Sequence, residues 1–185
     1  ELSLYADSVE GVRILEEAVR ESGSDARLNV LVELGHESGR TGARSVAAGE
    51  GVAAAVVDSP HLRLAGVAGY EGTIGSQRNS AVLDTVDIFL GRIGELARLL
   101  AGRFEVSEPI ITAGGSLFFD RVAAVLSAPA RSMGARLVIR SGCYLIHDHG
   151  LYARGTPGAA GVAGAPAFEA ALSVWARVVS TPEPG

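Results

Sequence analysis

Pro109-Ile110-Ile111-Thr112-Ala113-Gly114-Gly115-Ser116 carries a short apolar run straight into two bare glycines and a hydroxyl. The run lacks the polar alternation of a half-exposed strand and reads as a strand buried on both faces. The glycines end it abruptly. Strands of this kind belong to parallel α/β folds, where functional groups gather at the C-terminal strand ends.

The same pattern recurs along the chain. Leu2 to Ala6, Leu28 to Leu34, Leu62 to Tyr70, Pro109 to Ala113, and Arg136 to Arg140 with an extension through Ile146 form five short runs rich in Val, Leu, Ile and Tyr. Helical patterns lie between them. Asp7 followed by Glu10 resembles a capping box for a helix with Val12, Leu15, Ala18 and Val19 on its apolar face. Thr41 to Val57 forms an Ala-rich second helix. Ser80 to Phe104 is the clearest, with Val82, Val86, Phe89, Ile93, Leu96 and Leu100 along one face. Phe118 to Ala128 and Ala167 to Val179 are the fourth and fifth, Trp175 packing within the last. Strands and helices alternating at a spacing of about 30 residues imply parallel βα units. Two closures fit: a doubly wound sheet, or part of a (β/α)8 TIM barrel. The first helix lacks a G-x-G-x-x-G opening, which disfavours a dinucleotide-binding sheet. Five units are three short of a barrel, which takes about 250 residues.

Composition narrows the function classes. Formal net charge is -5 and the arginines are scattered, so no nucleic-acid footprint is expected. No apolar run reaches the ~18 residues of a membrane span. The single Cys143 excludes an internal disulfide and fits a cytoplasmic location. All sixteen basic residues are arginine, and there is no lysine.

Four consecutive strand ends carry glycine beside a polar or cationic group. They are Gly35-His36-Glu37-Ser38-Gly39-Arg40-Thr41-Gly42, Gly69-Tyr70-Glu71-Gly72, Thr112-Ala113-Gly114-Gly115-Ser116, and Arg140-Ser141-Gly142-Cys143-Tyr144 running on to His147-Asp148-His149. Together they argue for one shared site. Glycines let backbone N–H groups approach an anion, and a following helix N-terminus adds partial positive charge. Gly142 and Cys143 would add donors from the next strand end. The plainer reading makes Gly114 to Ser116 a strand-to-helix turn with Ser116 as N-cap. For His147-Asp148-His149, metal ligation needs a sharp turn to bring the three groups together. The simpler reading is a polar loop, and no metal is expected in this chain. Cys143 suits a small buried position rather than a nucleophile. His36 is expected in a solvated loop, and Gly155 to Pro166 as a connector or lid.

These strand ends resemble the barrel domain of the fold-type III pyridoxal phosphate enzymes, a group that includes alanine racemase, D-threonine aldolase and D-serine dehydratase. Val32-Glu33-Leu34-Gly35 with Gly39-Arg40-Thr41-Gly42 resembles the family's strand ending in a G-R-x-G turn. Val138-Ile139-Arg140-Ser141-Gly142-Cys143-Tyr144 resembles its R-x-G strand end. Thr112-Ala113-Gly114-Gly115-Ser116 is similar to the phosphate loop of the aldolase and dehydratase branch, as is the stretch from Ala65 to Gly72. The resemblance makes the five strands the fourth to eighth of the barrel. It implies residues 1–179 as the C-terminal part of that barrel, and 180–185 as a linker to a β-domain that the chain lacks.

The resemblance implies pyridoxal phosphate as cofactor. It puts Arg140 at the pyridine nitrogen, Arg40 near the phenolic oxygen, and Tyr70 beside the ring. Gly114, Gly115, Ser116, Gly142, Cys143 and Tyr144 complete the cofactor-binding set. Such an enzyme needs a lysine amine for its Schiff base. With none here, the resemblance places that lysine upstream, and no catalytic residue is expected in this chain. A divalent metal would belong to the missing domain. The implied activity is a lyase reaction on a D-amino acid, of the D-serine dehydratase or D-threonine aldolase type, in a homodimeric parent and absent from the 185 residues alone. An amino-acid racemase is the alternative enzyme. A non-catalytic cofactor carrier and a phosphate-binding barrel are the alternatives from other classes.

Overall fold

The computed structural model describes residues 2–182. Five strands alternate with helices along the chain: β1 (Ser3–Ala6), α1 (Val9–Glu21), β2 (Leu28–Leu34), α2 (Val46–Asp58), β3 (Leu62–Gly69), α3 (Ser80–Leu100), β4 (Ile110–Ala113), α4 (Phe119–Ser132), β5 (Arg136–Ile139) and the short α5 (Leu151–Gly155). All strand pairs are parallel, and the spatial order is β1-β2-β3-β4-β5. That order decides the closure. A doubly wound sheet reverses its strand order at a switch point, whereas a barrel adds each strand beside the last. The sheet also curls. The Arg140 guanidinium, just past β5, lies 5.2 Å from the ring of Tyr5 on β1 at the opposite edge. The fold is a five-strand portion of a (β/α)8-type wall.

The main core lies between the outer face of the sheet and the helices. Val30, Val32, Leu34, Leu62, Leu64, Val67 and Ile111 pack there against Val52 and Val56 of α2, Phe89, Ile93 and Leu96 of α3, and Val122 and Leu126 of α4. Each such side chain contributes about 1.5–3 kcal/mol on burial. The smaller cluster of Leu31, Ala65 and Ala68, with Val106 and Ile110, is separate. Gly66 is a strand glycine that the sheet register demands. The β2–β3 register shifts between Val30 and Leu31, and at φ 155° a Cβ on Gly66 would overlap the Ile110 carbonyl.

Caps set the helix starts. Ser45 and Asn79 cap α2 and α3 by accepting the Ala48 and Val82 amides. At α1 the cap is Ser8, which accepts the Gly11 amide, and not the expected Asp7–Glu10 box. Asp7 is used elsewhere, accepting the Gly42 amide in the loop after β2. The second helix starts at Val46 rather than Thr41, because residues 35–43 fold back along β2 through Gly35 to Ala43 and Ala43 to Glu33 backbone bonds. The fifth strand stops at Ile139, and Gly142–Leu145 is a 3-10 turn, not a strand extension.

The largest departure is Ala167 to Val179, expected as a helix and irregular in the structure. Leu172, Val174, Trp175, Val178 and Val179 are exposed, Trp175 to 95%. An isolated helix of this length is marginal without a surface to bury its apolar face, and the described residues supply none. Ser180 to Pro182 are likewise irregular, while Glu1 and the last three residues of the expected linker lie outside the described residues. No helix among the described residues is long and apolar enough to cross a membrane.

Candidate functional site

The C-terminal strand ends form one wall around a pocket of about 240 Å³ lined by Tyr70, Gly114, Gly115, Ser116, Arg140, Gly142, Cys143, Ile146 and Tyr152. Seven of the expected site residues meet here. Larger hollows of about 460 and 680 Å³ involve residues at or near the opposite strand ends, including Asn29 and Arg63. In parallel α/β proteins ligands bind at the C-terminal ends, and the smaller pocket is the one with convergent donors.

Arg140 is held rigidly. One terminal nitrogen donates to Thr112 Oγ1 at 3.0 Å and the other to the Gly69 carbonyl at 2.8 Å. Thr112 is itself fixed, its hydroxyl donating to the Val138 carbonyl at 2.8 Å. The guanidinium therefore bridges the ends of β3, β4 and β5. Arg40 sits apart from this pocket, in a cleft with Glu33, His36 and Thr73, and its guanidinium carbon lies 4.5 Å from the Tyr70 ring centre. Tyr70 thus joins the two arginine positions. His36 is not merely solvated: Nε2 is 2.9 Å from Thr73 Oγ1, and the ring meets Phe89 edge-on.

Glu71 is the residue that sequence reasoning passed over. It is fully buried, and its carboxylate accepts the Gly114 amide at 3.1 Å and the Gly115 amide at 2.5 Å. Burial pushes its carboxyl above the ordinary range, against the lowering effect of its own amide, those of Gly115 and Gly114, and the Arg140 charge. The signal was present as an acidic residue between glycines at one strand end, opposite two bare glycines at the next. Gly114 has φ 144°, and a Cβ there would come within 2.7 Å of the Arg140 amide, so this position needs glycine.

The far end of the same loop is clamped by Arg78. It donates to the Leu117 carbonyl and pairs with both Asp120 carboxylate oxygens, at 3.1 and 2.6 Å. Both glycine amides are therefore spent on Glu71. Ser116 is buried but does not cap α4, whose N-cap is Phe118. Among the described residues, the Ser116 amide and hydroxyl have no partner, so they remain available to a ligand.

The turn after β5 differs from expectation. Cys143 is exposed at the pocket rather than buried, because the 3-10 turn brings it round beside Tyr152. A hydrogen bond with Cys143, followed by burial, pushes the Tyr152 hydroxyl up to about 12. Tyr144 leaves the pocket and stacks on Phe168, ring centres 5.4 Å apart, with Phe119 edge-on. Asp148 accepts the Gly150, Tyr152 and Ala153 amides. Burial works against its charge, but those amides hold its carboxyl below the usual range. It organises α5, and no metal-ligating cluster occurs among the described residues.

D-threonine aldolase from Filomicrobium marinum matches 98% of the chain at 27% identity with a TM-score of 0.68. The chain carries the fold-type III barrel fold. D-threo-3-hydroxyaspartate dehydratase from Delftia sp. HT23 has the same fold, at 20% identity and a TM-score of 0.54 over 80% of the chain. The chain spans 45% of the aldolase and 36% of the dehydratase, so the fold-type III resemblance covers less than half of each. No family model and no curated protein matches.

Proposed function

We propose that this chain is the cofactor-holding barrel wall of a pyridoxal phosphate enzyme that acts on D-amino acids, of the aldolase or dehydratase type. The observation that carries the reading is the convergence of Tyr70, Ser116, Arg140, Gly142 and Cys143 from three strand ends on one pocket. The likeness to D-threonine aldolase supports it independently.

The residues present fit a flat, phosphate-bearing ring. Ser116 offers an amide and a hydroxyl, and Cys143 an amide, at the anion end. Arg140, pinned by Thr112 and Gly69, would present a fixed cation to a bound ring. Tyr70 offers an aromatic face, and Arg40 behind it adds positive charge. When bound, the cofactor supplies an electron sink for bonds to the substrate's Cα. The protein residues would orient it, with neutral donors at one end and the Arg140 charge at the other. Neither Arg140 nor Arg40 can serve as a base, since guanidinium stays protonated in proteins. The amine that these enzymes use must come from outside the 185 residues, because none of them is lysine. The chain alone is accordingly without turnover.

The test is a titration of the chain with pyridoxal 5′-phosphate and with pyridoxal. Saturable one-to-one binding of the first, much weakened without the phosphate, is the expected result. Equal affinity for both, or no binding of either, would overturn the reading. In the full-length protein, pyruvate from D-serine marks a dehydratase and glycine from D-threonine an aldolase. Formation of the L-amino acid instead would assign a racemase.

A further inference from the structure

The phosphate-type loop already holds an anion of its own. Glu71 fills both glycine amides from inside the protein, and it is walled in tightly enough that a Cβ on Gly115 would come within 2.9 Å of Gly72 Cα. The next donor, the Ser116 amide, is one residue along the chain. A phosphate group held there would face the Glu71 carboxylate at close range with little water between them. Two negative charges that close disfavour each other strongly, and one of them is expected to acquire a proton.

We propose that Glu71 is an internal competitor for the β4–α4 loop, so that an external phosphate or sulfate group binds there only as the Glu71 carboxylate is discharged by a proton. The inference rests on reading the pocket as a phosphate site. Other groups face the same space. Arg140 comes from the β5 end, Tyr70 from the β3 end, and Cys143 and Tyr152 from the turn and α5. His147 is buried beside Tyr152, next to Asp148. Arg140 attracts the ligand at every accessible pH. Of the remainder, Cys143 and His147 are the groups whose titration would have to be separated from that of Glu71.

Sulfate is the suitable probe, because it does not titrate near neutrality. Calorimetry of the 185-residue chain in two buffers of different ionisation enthalpy counts the protons taken up on binding. Wild-type chain should bind sulfate more tightly as pH is lowered, with net proton uptake. E71Q should bind on the order of tenfold more tightly than wild type at about pH 8, with a flat pH profile. Binding by E71Q that is no tighter than wild type would overturn the proposal. So would an unchanged pH profile, which would assign the proton to His147 or Cys143. Absence of sulfate binding to either protein would overturn it too. Should E71Q not fold, the proton count is repeated on C143S and H147Q: uptake that persists in both supports Glu71 as the acceptor, and loss of uptake in either, or zero uptake by wild type, overturns the proposal. A parallel titration with pyridoxal 5′-phosphate separates the two claims. Cofactor binding without proton uptake sinks only the role of Glu71. Proton-linked sulfate binding without cofactor binding sinks only the cofactor reading.

Discussion

Replacing Arg78 with Met should be among the costliest single changes in the loop that shapes the site. The Arg78 side chain is 6% exposed and the Asp120 side chain 19%. Removing one partner of a buried pair costs about 3–5 kcal/mol, chiefly because the other charge is left without compensation. Asp120 keeps some contact with water, which lowers the expected cost to about 2–3 kcal/mol. The Leu117 carbonyl also loses its donor. Met retains the apolar stem, so packing over Phe118 is largely preserved. Urea unfolding of wild type, R78M, D120N and the double variant measures the stability loss and, as a cycle, the coupling. The double variant should lose clearly less than the sum of the singles, with a coupling of about 1–3 kcal/mol. Amide exchange at residues 115–118 should quicken in R78M. A loss under about 0.5 kcal/mol for R78M, with additive singles, would refute the argument that this pair anchors the loop.

Three further outcomes follow from the geometry. G114A forces a side chain at φ 144° against the Arg140 amide; it should cost about 1–3 kcal/mol and abolish pyridoxal 5′-phosphate binding, as seen by urea unfolding and by titration. Burial raises the Glu71 carboxyl, so the folded state holds its proton to higher pH than the unfolded chain; stability is then full below the ordinary carboxylate range and is lost as pH rises through the folded value. E71Q should remove that decline, and a wild-type stability that rises with pH over the same range would contradict it. Trp175 is exposed, so its fluorescence should peak at long wavelength and be quenched freely by acrylamide; a blue-shifted, protected emission would place it in a packed helix.

Much of the architecture was legible because buried strands and amphipathic helices write their periods into the sequence. The Val86, Phe89, Ile93, Leu96 and Leu100 face of α3 is buried as its spacing implies. Local competition was harder to read. Asp7 and Ser8 are both good caps, and only the loop after β2, which binds Asp7, decides that Ser8 takes the helix. The apolar pattern of residues 167–179 is helical in period, yet helicity depends on a partner surface that the sequence does not reveal. At the site, the strand ends were readable as motifs, but side-chain direction was not. The turn after Arg140 sends Cys143 toward the pocket and Tyr144 onto Phe168. Glu71 and Thr112 were missed because each acts across strands, toward Gly114 and Gly115 in one case and Arg140 in the other.

The central claim is that the C-terminal strand ends form one phosphate-bearing cofactor site. Hydrogen exchange of the chain with and without pyridoxal 5′-phosphate tests it most directly. Protection should concentrate at residues 112–117 and 140–144, with a smaller effect around Tyr70. Protection centred instead on the opposite strand ends, around Asn29, Arg63 and Arg136, would contradict it.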